Sequence, residues 1–351
     1  MKLRLFLSII LSGLAIFAYP DNYTITQQEA VSMLNEAEDW IDDRPDGLQD
    51  KISDAVLHSM RGFFSEINYF RELNPSEINT ASDLKITELN GSDPSLNIRV
   101  YTTKAYDKSK GPVLIFYHGG GWSMGSVFTV ENFCKKLASG GKVAVVSMSY
   151  PLAPETTSSA IIKSCESSYK KVVEELISLK FNPANISIGG EGAGGNLALS
   201  VTALLKKEAY KYNPKSIVLY YPLLSTETSG ESEVWKKYGK GYGLDRNVLE
   251  AYTMAFTNAA PDDELTGMLV SPLWLPSSML KNLPPLLIIS AERDIVIDQQ
   301  KDFVGKIKKL GVNIRQIVLP GVIHGFISDN HQPTALRKSV ELTTLFLVST
   351  K

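Results

Sequence analysis

Six short apolar runs, near residues 113, 143, 185, 216, 286 and 315, alternate along the chain with stretches of helical spacing. Each run is short, partly β-branched and bounded by turn residues, as buried strands are. Strict alternation of strand and helix leaves few folds open. It predicts α/β class: a mostly parallel central sheet with helices on both faces and ligands at the carboxyl ends of the strands. Ahead of the alternation, Leu84–Leu89 and Leu96–Tyr101 flank Asn90-Gly91-Ser92, a hairpin-like turn. A chain of 351 residues fits one large α/β domain with a cap better than two domains. A net charge of −2 gives no reason to expect nucleic acid or an anionic membrane surface as partner.

Four segments carry chemistry, and all fall at the ends of predicted strands. Asn185 to Gly189 leads into Gly190-Glu191-Gly192-Ala193-Gly194-Gly195-Asn196, which opens a helical pattern reaching about Lys207. Strand, glycine-rich turn and helix are the layout of a nucleophile elbow, normally Gly-x-Ser-x-Gly. Here the central residue is Gly192. Taken alone, the run is equally an ordinary glycine-rich turn; a phosphate loop would need Gly-Lys-Ser/Thr where Gly195-Asn196-Leu197 stands. Val113–Tyr117 ends in His118-Gly119-Gly120-Gly121-Trp122, where glycines expose backbone N–H groups to a developing oxyanion. Leu286–Ser290 ends in Ala291-Glu292-Arg293-Asp294, and Arg315–Leu319 leads into Gly321-Val322-Ile323-His324-Gly325-Phe326. The order elbow, Asp, His is that of α/β-hydrolases.

With Tyr150-Pro151-Leu152-Ala153-Pro154-Glu155 between them, these motifs resemble the hormone-sensitive-lipase-like family of carboxylesterases over roughly Asp83 to the C-terminus. The departures are Pro151 for Arg, Glu191 for Asp and Gly192 for Ser. The resemblance implies an α/β-hydrolase fold, small esters as the substrate class, and neither metal nor cofactor. It implies that His324 is the general base and Asp294 orients it, with Asp298 the substitute if the alignment slips by a turn. Gly119, Gly120 and the N–H of Ala193 are expected to form the oxyanion hole, and Gly192 holds the nucleophile position with no hydroxyl to offer. His118 is expected to shape its loop; His58 and His331 carry no motif. Glu191 adjoins the elbow tip and is expected to point away from the pocket.

Three readings of Gly192 stand side by side. The site binds a small acyl or carbonyl ligand without reacting. Or His324 activates a water, with a poor rate, since loss of a triad member leaves only about 10³–10⁴-fold over water. Or glycine was introduced deliberately and the natural protein is an ordinary serine esterase.

An insertion from about 223 to 271 is expected to be a cap, and Trp122, Trp235 and Tyr242 are expected to touch the ligand. Residues 19–82 read as a helical segment, with helical spacing over Ile25–Trp40 and Asp46–Leu73, either part of the cap or packed on the core. Residues 1–18 read as a signal peptide: Lys2 and Arg4, then a mostly apolar run from Leu5 to Phe17, shorter than the ~20 residues a membrane span needs. The expected fate is export to the periplasm or medium, with no stable membrane insertion once the segment is removed; an uncleaved anchor is the alternative. Cys134 and Cys165 are expected on opposite faces of the sheet and therefore unbridged.

Overall fold

The computed structural model describes residues 81–89, 96–228, 232–257, 264–328 and 332–350, all within the unit Arg44–Lys351. The predicted signal segment, the helices expected in 25–40 and 46–73, His58 and His331 lie outside the described residues.

Eight strands form one sheet: β1 (Lys85–Leu89), β2 (Ile98–Thr102), β3 (Val113–Tyr117), β4 (Ala144–Met148), β5 (Ile186–Glu191), β6 (Ile217–Tyr220), β7 (Leu286–Arg293) and β8 (Ile314–Ile323). Their order is β1-β2-β4-β3-β5-β6-β7-β8. β1 pairs antiparallel with β2, and β2 with β4; every other neighbour is parallel. The hairpin-like pair ahead of the alternation is thus the antiparallel margin of a parallel sheet. β3, β4, β5 and β6 are buried along their whole length, which explains their continuous apolar runs in place of a period-2 pattern.

The helices are α1 (Glu131–Ser139), α2 (Ser158–Ser178), α3 (Ala193–Lys207), α4 (Glu233–Tyr238), α5 (Arg246–Thr257), α6 (Glu264–Leu269), α7 (Ser277–Leu280), α8 (Ile297–Lys309) and α9 (Pro333–Ser349). Successive strand residues face opposite sides. Leu114 and Phe116 of β3 join Phe133 and Leu137 of α1 and Leu336 and Leu347 of α9 in one core. From the opposite face, the Tyr117 hydroxyl donates to the carbonyl of Cys165 on α2 (2.9 Å). The two cysteines therefore lie on opposite faces, and both are buried free thiols. Burial raises the pKa of each, so neither is a thiolate near neutral pH.

Three strands run further than their apolar pattern. β5 continues to Glu191, whose backbone pairs with Tyr220. β7 continues to Arg293 through an irregularity at Ala291–Arg293, and β8 to Ile323. Backbone pairing carries these strands beyond the point where side-chain hydrophobicity ends. The extensions set the heights of Gly192, Asp294 and His324 above the sheet.

Between β6 and β7 the expected insertion holds α4, α5 and α6. On α5, Val248, Leu249, Tyr252, Thr253 and Phe256 are buried, a single stripe of helical spacing. The stripe faces the His118–Met124 loop: Phe256 stacks on Trp122 (centroids 4.2 Å, planes at 6°) and the Tyr252 hydroxyl reaches Met124 Sδ. Among the described residues, no helix is long and apolar enough to cross a membrane.

Candidate active site

The turn from β5 into α3 is built around Gly192, with φ 50° and ψ −116°. Its N–H donates to the Tyr220 carbonyl (3.0 Å) and its carbonyl accepts from Leu223 (3.0 Å), so β6 and its loop clamp both sides of the bend. That conformation is strained for a residue bearing Cβ and free for glycine. A Cβ built at Gly194 would fall 2.2 Å from the Tyr117 carbonyl oxygen, so α3 seats against the end of β3 only because residue 194 has no side chain.

Asp294 is fully buried between β7 and α8. One carboxylate oxygen accepts the Val296 N–H (3.0 Å); the other lies 2.8 Å from His324 Nδ1. This places the proton on Nδ1 and leaves the Nε2 lone pair free to accept. Nε2 points at the elbow: a Cβ built on Gly192 would lie 3.6 Å from it, with no other heavy atom within 4 Å among the described residues outside the adjoining ones. The structure thus brings Asp294, His324 and Gly192 together at the ends of their strands. Asp298, the fallback acid, instead pairs with Lys301 at the surface (3.3 Å).

The glycine loop after β3 needs two corrections. Gly119 was expected to offer its N–H to a ligand, but that N–H donates to Glu191 Oε1 (3.1 Å). A donor committed to a buried carboxylate is not available. Among the described residues, the N–H groups of Gly120, Gly121 and Ala193 have no protein acceptor. Trp122 was expected to touch the ligand, but its indole is wholly buried against Phe256. It fastens α5 to the loop. Gly121 (φ 57°) sits under Tyr252, where any Cβ would overlap the ring.

Glu191 does point away from the elbow tip, as expected, and it has a structural task that the sequence did not disclose. It is 4 % exposed and accepts from the Gly119 N–H, the Tyr221 hydroxyl and the Ser328 hydroxyl (2.6 Å to the nearer oxygen). Tyr221 also packs against the His324 ring (4.6 Å) and Phe326 (4.6 Å). Burial, then the Glu191 charge, raise the Tyr221 pKa well above the ordinary phenol value, so it stays a donor. One carboxylate thus ties together the elbow, the glycine loop, the loop after β6 and the His324 loop. Nothing in a single sequence links residues 191 and 328, which are 137 apart.

His118 shapes the loop, as expected. Its Nδ1 bonds the Gly119 carbonyl (2.7 Å), its ring stacks on Tyr150 (4.2 Å), and burial lowers its pKa from 6.5 to about 4. It is a neutral wedge. Trp235 and Tyr242 are tied next to the dyad: the Trp235 indole N–H donates to the Ile295 carbonyl (3.0 Å), and the Tyr242 backbone carbonyl accepts from the His324 N–H (3.3 Å). Both are half-buried. Among the described residues, no cluster of His, Cys, Asp and Glu could hold a metal.

Residues 114–328 match the family model described as alpha/beta hydrolase fold. The chain is 29 % identical over 247 residues to an ethyl acetate hydrolase of Pseudomonas putida, covering 70 % of this chain and 75 % of that one. It is 30 % identical over 217 residues to the carboxylesterase NlhH of Mycobacterium tuberculosis, covering 62 % and 67 %. Among solved structures, a Pyrobaculum calidifontis esterase superposes with a TM-score of 0.73 at 25 % identity, covering 84 % of this chain and 93 % of that one. The chain belongs to the α/β-hydrolase superfamily, in its hormone-sensitive-lipase-like carboxylesterase family.

Proposed function

We propose that this protein is an esterase-derived binder of small acyl or carbonyl compounds, without serine-esterase turnover. The observation that carries the reading is Gly192. It stands at the bend where the fold aims a side chain at His324 Nε2, in the matching backbone conformation, and it has no side chain to aim. Around it are an oriented imidazole and, at Gly120, Gly121 and Ala193, backbone donors with no acceptor among the described residues. Such donors suit a carbonyl or carboxylate oxygen. Trp235 and Tyr242 stand at the cap side of this ligand. In keeping with the basic and apolar N-terminal segment, we place the protein outside the cytoplasm after removal of residues 1–18.

The test is hydrolysis of p-nitrophenyl acetate by Gly192→Ser beside the unaltered protein. The reading expects turnover from Gly192→Ser alone, and stoichiometric fluorophosphonate labelling only there. Fluorophosphonate labelling of the unaltered protein would show a competent nucleophile and overturn the reading. One observation favours a second reading: the space beside Gly192 is open to His324 Nε2. A water there is within reach of a general base, and slow hydrolysis abolished by His324→Ala is its signature.

A further inference from the structure

We propose that the site also transfers the acyl group of a bound ester directly to a small primary alcohol, which takes up the role of the missing hydroxyl. This rests on the reading above, that Gly192 occupies the nucleophile position of an otherwise assembled site. The built Cβ at residue 192 lies 3.6 Å from His324 Nε2, with no other neighbour within 4 Å among the described residues outside the adjoining ones. An alcohol donating an ordinary O–H···N bond has its oxygen about 2.8 Å, and hence its carbon about 3.6 Å, from the acceptor. The separation the fold keeps is therefore that of a hydroxymethyl group hydrogen-bonded to the imidazole. A free alcohol is not bonded to Cα, so its oxygen stands off at a contact distance of about 3.3 Å, displaced outward toward the ligand but still facing Nε2.

The step balances with the residues present. The alcohol oxygen forms a bond to the ester carbonyl carbon as Nε2 takes the hydroxyl proton. Asp294, bonded to Nδ1 at 2.8 Å, stabilises the resulting imidazolium. The N–H groups of Gly120, Gly121 and Ala193 hold the oxyanion. The carbon–oxygen bond to the leaving group then breaks, and the imidazolium returns the proton to it. No acyl-enzyme forms.

The full-length unaltered protein is incubated with p-nitrophenyl acetate over a range of methanol concentrations. p-Nitrophenolate is followed by absorbance, and methyl acetate and acetate by gas chromatography. The expected result is saturable formation of methyl acetate, at least about tenfold above the protein-free rate, abolished by His324→Ala. Gly192→Ser, assayed in parallel, reports whether the rest of the site is competent. If Gly192→Ser hydrolyses the ester and methanol gives the unaltered protein no methyl acetate, this inference alone falls. If methanol raises the rate but acetate is the sole product, it falls as well, because the alcohol is then acting only as solvent. If Gly192→Ser is also inert, the reading of the site and the inference fall together.

Discussion

At the scale of single residues, the site combines a strained bend with a buried charge, and each has a measurable cost. Gly192 relaxes a backbone conformation that costs a residue with Cβ about 1–3 kcal/mol. Gly192→Ser is expected to lose stability by that amount in urea unfolding while it gains esterase activity. Glu191 gathers three donors in the interior, and hydrogen bonds to a charged group are worth about 1.5–3 kcal/mol each. Glu191→Gln keeps the shape but loses the charge, so a loss of about 2–3 kcal/mol is expected from the same measurement. An unchanged midpoint would show that the carboxylate does not hold the four segments together. His118 contributes to acid sensitivity. Its folded pKa of about 4 lies below the ordinary 6.5, so between these values the unfolded chain binds the extra proton. Stability is then full above about pH 6.5 and falls as pH drops toward 4, by up to ~3 kcal/mol for this residue. His118→Gln is expected to flatten the pH dependence of urea midpoints over that interval. Of these residues, Gly192, Asp294 and His324 were legible in the sequence because each sits in a short local motif at a strand end. Tyr221 and Ser328 were not, because their roles arise from contacts made only by folding, 30 and 137 residues from Glu191. Gly119 was misjudged for the same reason: its motif shows a backbone donor but not the carboxylate that occupies it.

At the scale of elements, the strands and crossover helices followed from period and length, while the attachment of the cap did not. Within the insertion, Tyr252 and Phe256 of α5 spend their rings on Gly121 and Trp122. The surface that the buried stripe on α5 meets was not legible in the sequence, since it depends on Gly121 leaving room for the Tyr252 ring. The stack makes the glycine loop and α5 one mechanical unit. Phe256→Ala is therefore expected to cost about 3–5 kcal/mol, as large-to-small changes in a packed core do. It should also weaken ligand binding, because the Gly120 and Gly121 donors lose their cover. Thermal unfolding checks the first, and titration of a carbonyl ligand such as a trifluoromethyl ketone checks the second. Full stability in Phe256→Ala would show that the cap is held elsewhere.

At the scale of the whole molecule, alternation along the chain foretold a parallel sheet with its chemistry along one end, and the eight strands place Gly192, Asp294 and His324 there. The same topology separates Cys134 on α1 from Cys165 on α2 by the thickness of the sheet. The intact mass of the protein is accordingly expected to be the same with and without reductant, and a difference of two hydrogens would contradict the placement of those helices. What the sequence could not convey was how completely a site can persist when its central group is absent, because the elbow is held by glycines, backbone bonds and Glu191, none of which needs a hydroxyl at residue 192. The central claim is that only this hydroxyl separates the protein from a working esterase. The most direct measurement is p-nitrophenyl acetate turnover by Gly192→Ser beside the unaltered protein, in buffer without alcohol. The account predicts that Gly192→Ser turns over with a burst and is silenced by His324→Ala, while the unaltered protein shows at most slow hydrolysis. Turnover by the unaltered protein equal to that of Gly192→Ser, or an inert but folded Gly192→Ser, would contradict it.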